Sequence, residues 1–171
     1  MELVEWQIVK IIESPAAHRD RILRWLESQA GAARTIVQGR DEQALRTQPA
    51  PGRWSAFQHL AHSGRMHEVY LTRLGRILSE DGPQIAAYRA EQDEDWTRWE
   101  AMTLADVQQA FDARRTELAN LLRGLSSEQW ERIGRHSKLG PLTLAEWITF
   151  FLVHEGHHLY TALTLARAQR D

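Results

Sequence analysis

Apolar residues recur along this chain at helical intervals, and no stretch shows a convincing alternation of apolar and polar residues. From Pro15 to about Val37, residues Ile22, Leu23, Trp25, Leu26, Ala30 and Ala33 keep a helical period. Ser14 is placed to cap this segment, and Pro15 suits a first helical position because its missing N–H would be unpaired there anyway. Thr47 to Arg53 contains Pro49, Pro51 and Gly52 and reads as a loop. A second helix is predicted after Ser55, with Phe57, Leu60, Gly64, Leu71, Leu74 and Leu78 on one stripe, ending before Gly82 and Pro83. Residues 85–100 are mixed; Tyr88 and Trp96 are candidate packing residues, with a short helix near Glu94 to Met102. The third long helix follows Thr103, whose pairing with Asp106 resembles a capping box. Its apolar face is Leu104, Val107, Phe111, Leu118, Leu121 and Leu122, and Gly124 ends it. A short helix opens at Ser126 or Ser127 and runs through Trp130, and a loop follows over His136 to Pro141. The last helix begins at Thr143, where Thr143 and Glu146 form a full capping box ahead of Leu144, Trp147, Ile148, Phe151 and Leu152. Four long amphipathic helices joined by loops predict an all-α helix bundle, a single domain over residues 1–171.

Composition narrows the functional classes. The net charge of −2 supplies no long-range attraction for nucleic acid or an anionic membrane, so neither is an expected partner. The chain has no cysteine, which removes disulfides, thiolate ligands and a cysteine nucleophile. Met1 to Trp6 lacks the basic and apolar regions of a signal peptide, and the longest apolar stretch, Trp147 to Val153, is too short to span a bilayer. A cytoplasmic protein is the expectation.

Histidine carries the candidate chemistry. Three of the eight histidines lie in His154-Glu155-Gly156-His157-His158. Residues four apart on a helix present side chains one turn apart on one face, so His154 and His158 can reach one metal ion. The apolar stripe of Trp147 and Phe151 leads on to them by steps of three and four, which predicts that both imidazoles point inward. The same five residues match the H-E-x-x-H pattern of zinc metalloproteases, in which the Glu is a general base. That reading lacks a downstream third ligand, since only Asp171 among the last 13 residues could serve. It also lacks a strand to line a peptide cleft, and it is the remote alternative. A third ligand must come from upstream, where His59, His62 and His67 lie on the second helix; spacing alone does not choose among them.

Two stretches resemble a known family. Gly52-Arg53-Trp54-Ser55-Ala56-Phe57-Gln58-His59-Leu60-Ala61-His62 resembles the start of the second helix of DinB-like proteins, the superfamily that includes the YfiT-like hydrolases. There the metal-binding His falls eight residues after the Trp, the position of His62. Gly140-Pro141-Leu142-Thr143-Leu144 followed by His154 to Leu159 resembles the family's last helix, whose two ligands correspond to His154 and His158. The resemblance covers about Pro15 to Leu165. It implies an up-and-down four-helix bundle with extra short helices in its loops, and a divalent metal, zinc or nickel, held by His62, His154 and His158. Many members carry an acidic residue three positions after the first ligand; here Arg65 stands there.

Three neutral imidazoles leave a coordination position free, as in catalytic sites. The expected function is therefore a metal-dependent hydrolase, or a transferase using a low-molecular-weight thiol, acting on a small-molecule substrate. Glu155 is the candidate general base, against the plainer reading of a solvated flank residue. Arg114 or Arg115 is a candidate for a substrate carboxylate or for an internal ion pair, and His136 for a loop residue at the surface. The alternative class is a non-catalytic metal-binding module or scaffold. The apolar first helix and the tryptophan content make a homodimer the expected assembly.

Overall fold

The computed structural model describes residues 14–168. The readings made for Met1 to Trp6 and for Asp171 lie outside them. The four long helices are α1 (Pro15–Val37), α3 (Ala56–Ser79), α5 (Leu104–Arg123) and α7 (Leu144–Ala168). Short helices α2 (Glu42–Arg46), α4 (Trp96–Ala101) and α6 (Ser127–Trp130) occupy the connections. The caps follow the sequence signals: Ser14 Oγ accepts from Ala17 N, and Thr143 with Glu146 closes a reciprocal box at the start of α7. Ser55 with Gln58 closes another at the start of α3. Thr103 accepts from the Asp106 amide, but Asp106 returns its carboxylate to the Thr103 hydroxyl rather than to the backbone, so that box is half formed.

The helices stand as a square in which α3 and α1 each pack against both α5 and α7. Consecutive long helices therefore lie across diagonals at α1 to α3 and at α5 to α7, and the long connections span the ends of the bundle. One element departs from the all-helical reading. Strands β1 (Gln84–Ile85), β2 (Ile133–His136) and β3 (Gly140–Thr143) form a small sheet in the order β1-β2-β3, with β1 parallel and β3 antiparallel to β2. The stretch read as a loop over His136 to Pro141 is the turn of this hairpin. Strands of two to four residues carry too few positions for alternation to register.

The interior has two apolar parts. One gathers Ile22, Leu26, Tyr70, Leu74, Trp147 and Phe151; the other gathers Ile36, Phe57, Leu60, Trp99, Phe111 and Leu159. Between them runs a layer of buried polar side chains: Gln29 on α1, His62, Ser63 and His67 on α3, Arg115 on α5 and Glu155 on α7. Gly64 on α3 faces the buried indole of Trp99 so closely that a Cβ would stand 2.8 Å from Trp99 Cη2 and nearer still to Cζ3. Bare backbone at this point lets α4 settle onto α3.

Candidate metal centre

The seam between α3 and α7 brings together His62, His154 and His158. His62 Nε2 lies 3.4 Å from His154 Nε2, and His154 Nε2 lies 3.2 Å from His158 Nε2. One nitrogen of each ring falls within 4.8 Å of the others. Two nitrogens held at about 2.0–2.1 Å by one tetrahedral ion stand about 3.3 Å apart, so both measured separations suit a shared ion. Burial and mutual repulsion push the rings toward the neutral form that a ligand needs. His62 is lowered to about 3, His154 to about 4 and His158 to about 2, with burial the largest cause in each. The donor set and its spacing fit a divalent metal.

The other two upstream histidines do different work. His59 Nδ1 lies 2.8 Å from His158 Nδ1. With His158 Nε2 free to act as a ligand, its Nδ1 carries the proton and donates to His59 Nδ1, which fixes the ring as outer partners of metal-bound histidines do. His67 is fully buried between the rings of Phe111 and Phe151, and its Nδ1 donates to Ser63 O at 2.8 Å.

Glu155 is not where a general base would have to be. Its carboxylate is buried in the bundle centre, where Arg115 Nη2 donates to Oε2 at 2.5 Å and His67 Nε2 stands 3.5 Å from Oε1. Burial pulls the Glu155 pKa up while Arg115 pulls it down. The expected role of Glu155 as general base at the triad is corrected on position. The inward stripe of α7 runs Trp147, Phe151, Glu155, Leu159, Ala162, so Glu155 and not His154 or His158 faces the axis. The two histidines, part-exposed, sit at the α3 seam, one face round from it. Arg115 thus makes an internal ion pair, and Arg114 pairs with Glu117 and Glu68 at the surface. His136 is buried in β2, its Nδ1 accepting from the Lys138 and Leu139 amides.

An aromatic wall covers the triad. Trp54 and Trp96 stack at 5.1 Å, and Trp54 lies 5.0 Å from the His62 ring and 5.9 Å from that of His158. Tyr88 approaches His62 at 5.5 Å and donates its hydroxyl to Asp93 Oδ2 at 2.7 Å. Arg65 clasps the same carboxylate through Nε and Nη2, at 2.7 and 2.9 Å, and holds Asp93 down to about 2. Arg65, three positions after His62, therefore anchors the wall. Two clefts flank it. One of 410 Å³ is lined by Trp54, His59, His157 and Leu165 among others. One of 290 Å³ is lined by Arg65, Arg73, Tyr88, Arg89 and Asp93 among others. The functional candidates that sequence reasoning passed over are Asp93 and Arg73. Asp93 sits in an irregular connection with no signal. Arg73, eleven residues after His62, keeps the stripe of His62, Met66 and Val69 and could have been read as an inward cation.

No curated protein matches this chain. Among solved structures, YfiT from Bacillus subtilis, described as a probable metal-dependent hydrolase with an unusual four-helix bundle topology, superposes with a TM-score of 0.75 at 21% identity, over 88% of this chain and 86% of that one. That likeness establishes the four-helix fold. The profile of the DinB superfamily matches residues 16–162, which takes in the wall and all three converging histidines. The chain belongs to the DinB superfamily.

Proposed function

We propose that this protein is a divalent-metal-dependent hydrolase of a small molecule, with His62, His154 and His158 as its metal ligands. The convergence of three imidazole nitrogens within 4.8 Å of one another, with His154 at 3.4 and 3.2 Å from the other two, carries the reading. Zinc or nickel is the ion of choice, since both accept imidazole. A divalent ion so held supplies Lewis acidity toward a substrate oxygen or a sulfur nucleophile. The chain's own part is positional. His59 orients His158, the Trp54–Trp96 stack keeps water from one side of the cluster, and the Arg65–Asp93 clasp fixes the Tyr88 ring against His62. A thiol cosubstrate is the finer variant of the same proposal, because an ion held by three imidazoles would keep a coordination position that could take a sulfur nucleophile as readily as water.

The two clefts beside the cluster favour an enzyme over a vestigial scaffold site. The metalloprotease alternative loses its general base, because the Glu of the H-E-x-x-H match is paired with Arg115. Elemental analysis of the purified protein beside His62→Ala is the first test. About one ion per chain in the parent and its loss in the variant are expected. Ester and amide substrates, and electrophiles offered with low-molecular-weight thiols, then report turnover. Activity indifferent to chelation and to His154→Ala would refute the proposal.

A further inference from the structure

Arg73 is 8% exposed, yet it faces no carboxylate among the described residues. Its Nη2 donates to Ala86 O at 2.9 Å, and its guanidinium lies 5.2 Å from the Tyr70 ring and 5.6 Å from that of Trp147. Every one of these partners is neutral. An arginine does not shed its proton in a protein, so a full positive charge, largely covered by protein, stands with no anion beside it. Its neighbours are treated otherwise. Arg65 is shared among Asp93, Glu68 and Asp95, and Arg115 is paired with Glu155.

The uncompensated guanidinium lines the 290 Å³ cleft together with Arg65, Tyr88, Arg89 and Asp93. Asp93 is already committed to Arg65, and Arg89 is exposed, so the cleft is net positive. It also adjoins the triad: Tyr88, which lines the cleft, stands 5.5 Å from the His62 ring. Three helix turns separate Arg73 from His62, about 16 Å of rise. A long side chain on a helix leans back toward the N-terminus, which leaves the guanidinium on the order of 10 Å from the triad.

We propose that this cleft binds a carboxylate of the substrate, with Arg73 holding the acid group while the reacting group of the same molecule reaches the histidine triad. The second half of the statement rests on the metal-site reading; the first rests on Arg73 alone. A single fork-shaped cation with one unmet charge suits a carboxylate.

Calorimetric titration of the purified protein with succinate and with inorganic phosphate tests it, run on the parent, Arg73→Met, Arg73→Lys and His62→Ala. Arg73→Met places an apolar chain between the Tyr70 and Trp147 rings. Arg73→Lys keeps the charge but loses the planar fork. Succinate affinity is expected to fall about ten-fold or more in Arg73→Met, less in Arg73→Lys, and to persist in His62→Ala. Persistence in His62→Ala while the parent carries no metal would refute the metal site and leave the carboxylate site standing. Equal affinity in the parent and both Arg73 variants, no succinate binding by the parent, or binding lost only in His62→Ala would overturn the assignment. Tighter binding of phosphate than of succinate would also overturn it.

Discussion

Arg115 and Glu155 form an ion pair in the bundle centre, with side chains 6% and 0% exposed. Replacing Arg115 with Met leaves the carboxylate buried with no guanidinium beside it. Breaking a buried pair from one side costs about 3–5 kcal/mol, because the remaining charge is uncompensated. For a chain of this size 1 kcal/mol moves the midpoint by about 2–4 °C, so Arg115→Met should melt about 6–20 °C below the parent. The double variant Arg115→Met with Glu155→Leu removes both charges and fills the space, and should recover most of the loss. Thermal melts and urea titrations followed by tryptophan fluorescence measure both effects. Metal content, determined on the folded fraction, should stay the same in all of them, because neither side chain reaches the converging nitrogens. A cost below about 1 kcal/mol in Arg115→Met, or a double variant less stable than Arg115→Met, would show that the pair does not hold the centre. Loss of metal in a stable Glu155→Gln protein would show that the carboxylate serves the site after all.

Other expectations are as direct. His59→Ala should weaken metal affinity about 10–100-fold in chelator competition, since it removes the partner that orients His158; unchanged affinity would leave His59 without that role. The Asp93 carboxyl titrates lower in the folded chain, at about 2, than when unfolded, where it sits near 3.8, because Arg65 and Tyr88 bond its charged form. The unfolded chain therefore takes up the proton first, and this part of the stability is present above about pH 4 and lost as pH falls toward 2. Asp93→Asn should flatten that acid limb when urea midpoints are compared at neutral and acid pH, and an unaltered limb would count against the clasp. Chelation should lower the melting temperature, by an amount corresponding to about 2.7 kcal/mol if the free ion had been at a hundred times its Kd; an unchanged melt would argue against a bound ion.

Helix positions were legible because each long helix carries both an apolar stripe and a capping signal, as at Ser14–Pro15, Ser55 and Thr143–Glu146. The pairing of His154 with His158 was legible from their one-turn spacing. Spacing did not single out the third member, since His59, His62 and His67 all belong to buried or half-buried faces of α3; the resemblance pointed to His62, and the packing of α7 against α3 separates the three roles. Glu155 was misplaced for a related reason. The stripe from Trp147 and Phe151 can be continued by a step of three to His154 or of four to Glu155, and periodicity accepts both. The wall escaped notice because Tyr88 and Asp93 lie in a connection whose shape is set by contacts distant in sequence, as when Arg65 reaches Asp93 across 28 positions.

Gly64 lends the site a dimension that no ligand residue controls. The indole of Trp99 rests against its bare Cα, and Trp96, one turn earlier on the same short helix, reaches over the His62 ring. The clearance between that ceiling and the imidazoles is thus set by the thickness of the backbone at position 64. A single methyl there would lift α4 and loosen the Trp54 stack, altering which molecules can enter without touching any nitrogen that could bind an ion.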